Sequence, residues 1–359
     1  MNGRLFNKKY FIPITVCLFL VALFIKNSSL ASIYTKKGLE ICFLTIVPSL
    51  FPLMVVSDAL CEFGFFDFLG KYQGNISKKL FGLSKCTFTA VLSGLILGFP
   101  VGARALISLY DNKKISKSEF KQALGYSGIP SFAFLSNAVG ASIFGSAKFG
   151  IYLYFCAIAS ALITGIIFKK NVYKDTRECE RNSYRRKPIS KIITSAISSS
   201  ASSTVILCAY VVFFSAVVGC LSESAYINET KKAIISSFLE LSTGTLNSGN
   251  VGGVLGAVIC GACVGWSGLS VHFQTMSLCE DRITDYKIYI LEKAMQSVFC
   301  GILSLFYALV FGIKNTSQAD VSTFLMVYKI EYSALMIVIF IFAFIYITKK
   351  SVLHTDIKK

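Results

Sequence analysis

Apolar residues along this chain gather into continuous runs, not into alternating or one-sided patterns. The runs cover residues 10–25, 39–61, 86–109, 128–146, 149–168, 202–220, 251–270, 289–313 and 333–348. A hydrocarbon layer about 30 Å thick needs roughly 20 helical residues to cross it, so these runs predict membrane helices. The first, "YFIPITVCLFLVALFI", follows the basic "RLFNKK" and precedes "SSLAS". A cleaved signal peptide has that layout too. With no recognisable exported domain behind it, an uncleaved first helix is the preferred reading.

Two runs are interrupted. "SGLILGFPVGARALISLYD" places Gly98, Pro100 and Gly102 within five positions and then a cation, Arg104. Residues 91–103, "VLSGLILGFPVGA", align without gaps on residues 258–270, "VICGACVGWSGLS", so that Gly94 faces Gly261, Gly98 faces Gly265 and Phe99 faces Trp266. One inserted residue later "ISKSEF" falls beside "ITDYKI". Backbone that leaves helical geometry inside a bilayer persists only where protein or a polar cavity satisfies its freed groups. Breaks in corresponding positions of two halves point to a midplane site built from discontinuous helices. The G-x-x-x-G spacings at 94–98 and 261–265 have packing as their plainer meaning. If 86–109 and 251–270 are re-entrant hairpins, three crossings remain in each half. The odd number inverts the second half, and the first helix brings the total to about seven crossings.

Composition sets the solvent. Only 15% of the 359 residues are charged, 54% are hydrophobic, and mean hydropathy is +0.64, against about a quarter charged in soluble domains. The expected class is therefore an all-α polytopic membrane protein. The net charge of +17 raises nucleic acid as a partner, but the basic residues lie between apolar runs, where cytoplasmic loops require them. The segment 169–191 carries nine Lys and Arg against three acids and reads as a cytoplasmic linker. The predicted organisation is an N-terminal helix or signal anchor (1–35), a first repeat (36–168), the linker (169–191), a second repeat ending in a C-terminal helix (192–348) and a basic tail (349–359). An intracellular N-terminus satisfies the internal loops but puts "KKSVLHTDIKK" outside, against the positive-inside expectation.

Chemistry-bearing residues are few. The twelve cysteines lie mostly in apolar runs, and Cys260-Gly261-Ala262-Cys263 has no His or further Cys at metal spacing, so packing is its reading. There is no phosphate-binding loop, zinc-protease motif, nucleophile elbow or dinucleotide fingerprint. We expect neither an enzyme nor a cofactor, and any transport would be passive, gradient-coupled or powered by another subunit. Gly98 and Pro100 mark the first break. Arg104 is either a site cation or a side chain reaching the interface near Asp111. Glu240 is either an intramembrane carboxylate, with Thr243 and Asn247 on its helical face, or the cap of a helix end. His272 and Gln274 offer a titratable ring and a donor–acceptor amide, or else satisfy neighbouring helices. Ser267 is a weaker candidate of the same kind.

"LTIVPSLFPLMVVSDAL", "GFPVGARALISLYDNKKISKSEF", "IPSFAFLSNAVGASIF", "LELSTGTLNSG" and "GWSGLSVHFQTMSL", in that order and spacing, resemble the sporulation integral membrane protein family of the YlbJ type. That family belongs to the nucleoside-recognition, or gate-domain, membrane proteins of endospore formers. The resemblance spans residues 35–312 and rests on the ordered set of motifs. It implies a transporter-like gate-domain fold, a role in endospore formation and the spore cortex, and a multi-pass location in a mother-cell or forespore-surrounding membrane. The implied partners are lipid, a small polar solute, and a second copy or other sporulation membrane proteins. Where the family pattern leads us to expect an Asn-containing stretch before Pro130, this chain has "GYSGIP"; Ser127 and Asn137 are the substitutes at hand.

Overall fold

The computed structural model describes residues 11–65, 76–170, 188–222 and 227–313. Among these residues every regular element is helical. The run at 333–348, the tail, His354 and most of the linker lie outside them.

The chain begins with α1 (Phe11–Lys26), α2 (Ser28–Ile41, running into a π turn, Cys42–Ile46) and α3 (Val47–Glu62). α1 and α2 are bent by 98° at Asn27. α2 and α3 lie along the long helix α8 (Ile189–Ser222), and Ile41, Cys42, Ile46, Leu207 and Val211 form a small core between them.

The rest is one pattern used twice. α4 (Lys85–Leu97) and α5 (Val101–Asp111) fold back on each other around Gly98-Phe99-Pro100, with a cis Phe99–Pro100 bond. Gly98 has φ +89°, a conformation that glycine adopts without a Cβ penalty. Gly94 and Gly102 face each other across this hairpin, and a Cβ on either would collide with the Ser127 carbonyl. Next comes α6 (Lys117–Leu124), a non-helical stretch at 128–131, a π segment (Phe134–Ile143), and the full-length helix α7 (Ala147–Ile167). In the second half α9 (Glu229–Leu239) and α10 (Leu241–Val251) form another fold-back hairpin, closed by a bond from Asn247 Nδ2 to Ser236 Oγ at 2.6 Å. A broken helix follows, α11 (Gly253–Trp266) and α12 (Gly268–Cys279), and then the full-length α13 (Lys287–Phe311). Each half is thus hairpin, broken helix, long helix.

This corrects the sequence expectation in one respect. The hairpin at 86–109 is present, but 251–270 is not its counterpart. Gly253–Arg282 runs as a single span bent at Ser267, and the second hairpin is 229–251, with Glu240 at its tip. The gap-free alignment matched glycine spacing between a hairpin and a broken helix, because both use small residues for close approach. The run at 128–146 is also not one continuous helix.

Among the described residues four helices are long and apolar enough to cross a membrane, α7, α8, α11–α12 together, and α13; the bent pair α1–α2 makes up to five. α13 shows why the outside solvent is lipid. Glu292, Gln296 and Ser304 are buried, while Leu291, Val298, Ile302, Phe306 and Leu309 are exposed. Polar residues inside and apolar ones outside suit hydrocarbon surroundings.

Candidate functional site

The two hairpin tips and the two helix breaks meet at one small, mostly apolar hollow. Hairpin one brings Phe99, the first break brings Gly128 to Ser131, hairpin two brings Glu240 to Ser242, and the second break brings Ser267, Ser270 and Gln274. Ile46, Leu50, Leu207 and Val211 close the remaining side.

Each tip is held by bonds that the chain reversal requires. The N–H of Phe99 donates to Ile129 O at 2.8 Å, tying the first tip to the first break. Tyr154 Oη donates to the Leu95 and Ile96 carbonyls at 3.0 and 3.2 Å, satisfying acceptors that the end of α4 leaves open. At the second tip the Glu240 carboxylate accepts from Ser242 N (2.9 Å), Thr243 N (2.7 Å) and Thr243 Oγ1 (2.9 Å). A carboxylate at a helix N-terminus meets both the unpaired N–H groups and the positive end of the dipole. Glu240 is thus a cap that also borders the hollow, and Thr243 serves it without lining the hollow. Trp266 Nε1 donates to Phe238 O at 3.0 Å, tying the second break to the second hairpin.

The other candidates divide. Ser267 and Gln274 line the hollow; Gly98 sits behind its Phe99 wall against Ser131. Pro100 precedes α5. His272 points elsewhere. Thr275 Oγ1 donates to Val271 O (2.8 Å) and Tyr289 Oη donates to Thr275 Oγ1 (3.3 Å), so Nδ1 of His272 donates to Tyr289 Oη at 2.9 Å. Its Nε2 is buried without a partner. Asn137 accepts from Ser136 Oγ at 3.2 Å within the π segment and does not line the hollow.

Arg104 is also away from it. Its guanidinium meets Asp58 of α3 at 2.7 Å and bonds Ser199 of α8, while Asp58 also accepts from Ser200 at 2.9 Å. Asp111, near the interface that Arg104 was alternatively expected to reach, pairs with Arg282, whose Nε and Nη2 reach both its oxygens at 2.7 and 2.8 Å. Arg104 lies one and a half turns past its break and is drawn by a carboxylate 46 positions back, which local reading misses. Residues missed altogether are Ser131, Ser270 and Lys293. Lys293 Nζ donates to Gly128 O at 2.7 Å and to Gln296 Oε1 at 3.3 Å. A Lys one position after an acid in an apolar run was the available signal for it.

A curated relative aligns with most of the chain. The chain is 21% identical to "Sporulation integral membrane protein YlbJ" of Bacillus subtilis (strain 168), across 79% of this chain and 79% of the relative. The resemblance read from the ordered motifs is to the YlbJ type. No protein-family model matches the chain, and no solved structure does. With its apolar-outside, polar-inside helices, the chain is a multi-pass helical membrane protein.

Proposed function

We propose that this protein passes a small polar solute through the hollow between its hairpin tips, and that it does so in endospore formation, in support of the spore cortex. The supporting observation is the convergence of two hairpin tips and two helix breaks on one hollow. Such convergence brings backbone dipoles, and from Ser270 an unpartnered hydroxyl, to one place. In this reading the chain crosses the membrane about seven times, α7, α8 and the first broken helix inverting the second half relative to the first, in a gate-domain arrangement. The site residues are Gln274, Ser267, Ser270, Ser131 and the Glu240 cap, with Phe99 as an aromatic wall. The carboxylate already occupies the second tip's N-terminus, so the remaining amide and hydroxyl groups favour a neutral polar solute. The protein works without catalysis or a resident cofactor.

The relative's name carries the sporulation part of the reading and the hollow carries the transport part. Flux of nucleosides, small anions and peptidoglycan precursors into sealed vesicles tests the latter. Wild-type flux lost in Gln274→Ala, with membrane insertion intact, is the expected result. No flux for any class by folded protein would overturn transport and leave a membrane scaffold of the developing spore.

A further inference from the structure

A second polar cluster lies away from the hollow, between α4, α6 and α13. Glu119 and Glu292 are both fully buried. Glu119 Oε1 accepts from Ser84 N at 2.6 Å, the first residue before α4, and its Oε2 has no partner. Gln122, one turn along α6, spends its amide N–H on Phe81 O at 2.9 Å and leaves Oε1 unpaired. Tyr126, fully buried, turns its unpaired hydroxyl toward Gln122 within electrostatic reach of both carboxylates. Glu292 packs directly on Gly125, where a Cβ would come 2.8 Å from Glu292 Cβ.

Charge does not balance here. Two buried carboxylates stand against one buried ammonium, Lys293, which is already committed to Gly128 O and Gln296. Lys170 acts on Glu292 from the exposed end of α7. Tyr289 also lies within reach of Glu292, and His272 within reach of Lys293. An uncompensated buried charge costs several kcal/mol, so one more positive charge completes the cluster.

We propose that Glu292, fully buried against Gly125 with both carboxylate oxygens unpartnered, is a proton-binding group, distinct from the hollow, that takes up and releases one proton, with Glu119, Gln122 and Tyr126 as its polar surroundings. On uptake one Glu292 carboxylate oxygen becomes O–H; on release the proton returns to solvent. A metal cation fits the place poorly. Lys293 and Lys170 repel it, and Gly125 pressed against the Glu292 side chain leaves no room for a coordination shell. A proton needs none. The site stands whether or not a solute crosses the hollow.

The test uses the full chain in lipid nanodiscs, titrated with pH in choline chloride and, separately, in sodium chloride. The readouts are emission of Trp266, the sole tryptophan, and the melting temperature. Trp266 packs on His272, which is bonded to Tyr289 beside Glu292. We expect one transition in wild type, identical in the two salts, with melting temperature falling as pH rises. Glu292→Gln loses it with helical content retained, and Tyr126→Phe moves its midpoint. A wild type without a transition, a transition that survives in Glu292→Gln, or one that appears only with sodium would each overturn the site.

Discussion

Glu240 and Gly268 meet backbone to backbone: a Cβ on Gly268 would stand 2.9 Å from the Glu240 Cα. The second hairpin tip is therefore seated on the first residue of α12, and its cap and the helix break form one unit.

Removing the cap should loosen that unit. Glu240→Ala takes away the acceptor of two backbone N–H groups and of Thr243 Oγ1. N-cap losses run at about 0.5–2 kcal/mol, and a third bond puts this one toward the upper end. Glu240→Gln keeps one oxygen and should lose clearly less. Thermal unfolding in nanodiscs measures both; equal losses would show that charge, not capping, holds the tip.

Arg104 and Asp58 should behave as a coupled pair. Their side chains are 19% and 14% exposed, and hydrogen bonds to charged groups in such settings are worth about 1.5–3 kcal/mol. A double-mutant cycle with Arg104→Ala and Asp58→Ala is expected to return coupling in that range. Additive single losses would mean that α5 is held to α3 and α8 by packing alone.

The Asp111–Arg282 pair should make a small, pH-dependent contribution. Arg282 holds the Asp111 carboxyl below its ordinary value of 3.8. A depressed carboxylate stabilises the fold above that ordinary value and loses the contribution as pH falls through its folded-state value. Both side chains are partly exposed, so solvent and salt screen the pair to under about 1 kcal/mol. Asp111→Asn should cost that amount at neutral pH, nothing in strong acid, and less in high salt, as read from denaturation midpoints. An unchanged loss in acid would assign the effect to something other than this pair.

The first hairpin was legible because proline and glycine interrupt an apolar run within five residues, a local signal. The second was not, because its reversal is made by Glu240 in "FLELSTG", where no Pro or Gly stands at the tip and the carboxylate itself supplies the missing bonds. Sequence reading placed Glu240 as a helix-end cap or a buried acid, and it is both, a buried cap that borders the hollow. Ser267 was found since it stands at a visible break, and Gln274 since it follows that break by about two turns. Arg104 and His272 were drawn into the site by chemistry alone, but their partners, Asp58 and Tyr289, come from helices whose approach no local pattern reveals. Glu119 reads as an ordinary third residue of a capped helix after Ser116, and only tertiary packing buries it.

The two tips are fastened by different kinds of bond. The first is fixed through main-chain atoms, Phe99 N to Ile129 O, and the second through an indole, Trp266 Nε1 to Phe238 O. Any of twenty side chains at position 129 still offers the same carbonyl, so drift in sequence leaves the first fastening untouched. A single base change at the tryptophan codon unfastens the second. The halves share an architecture but not a mutational robustness, and variation that loosens the second tip has its easiest entry at Trp266.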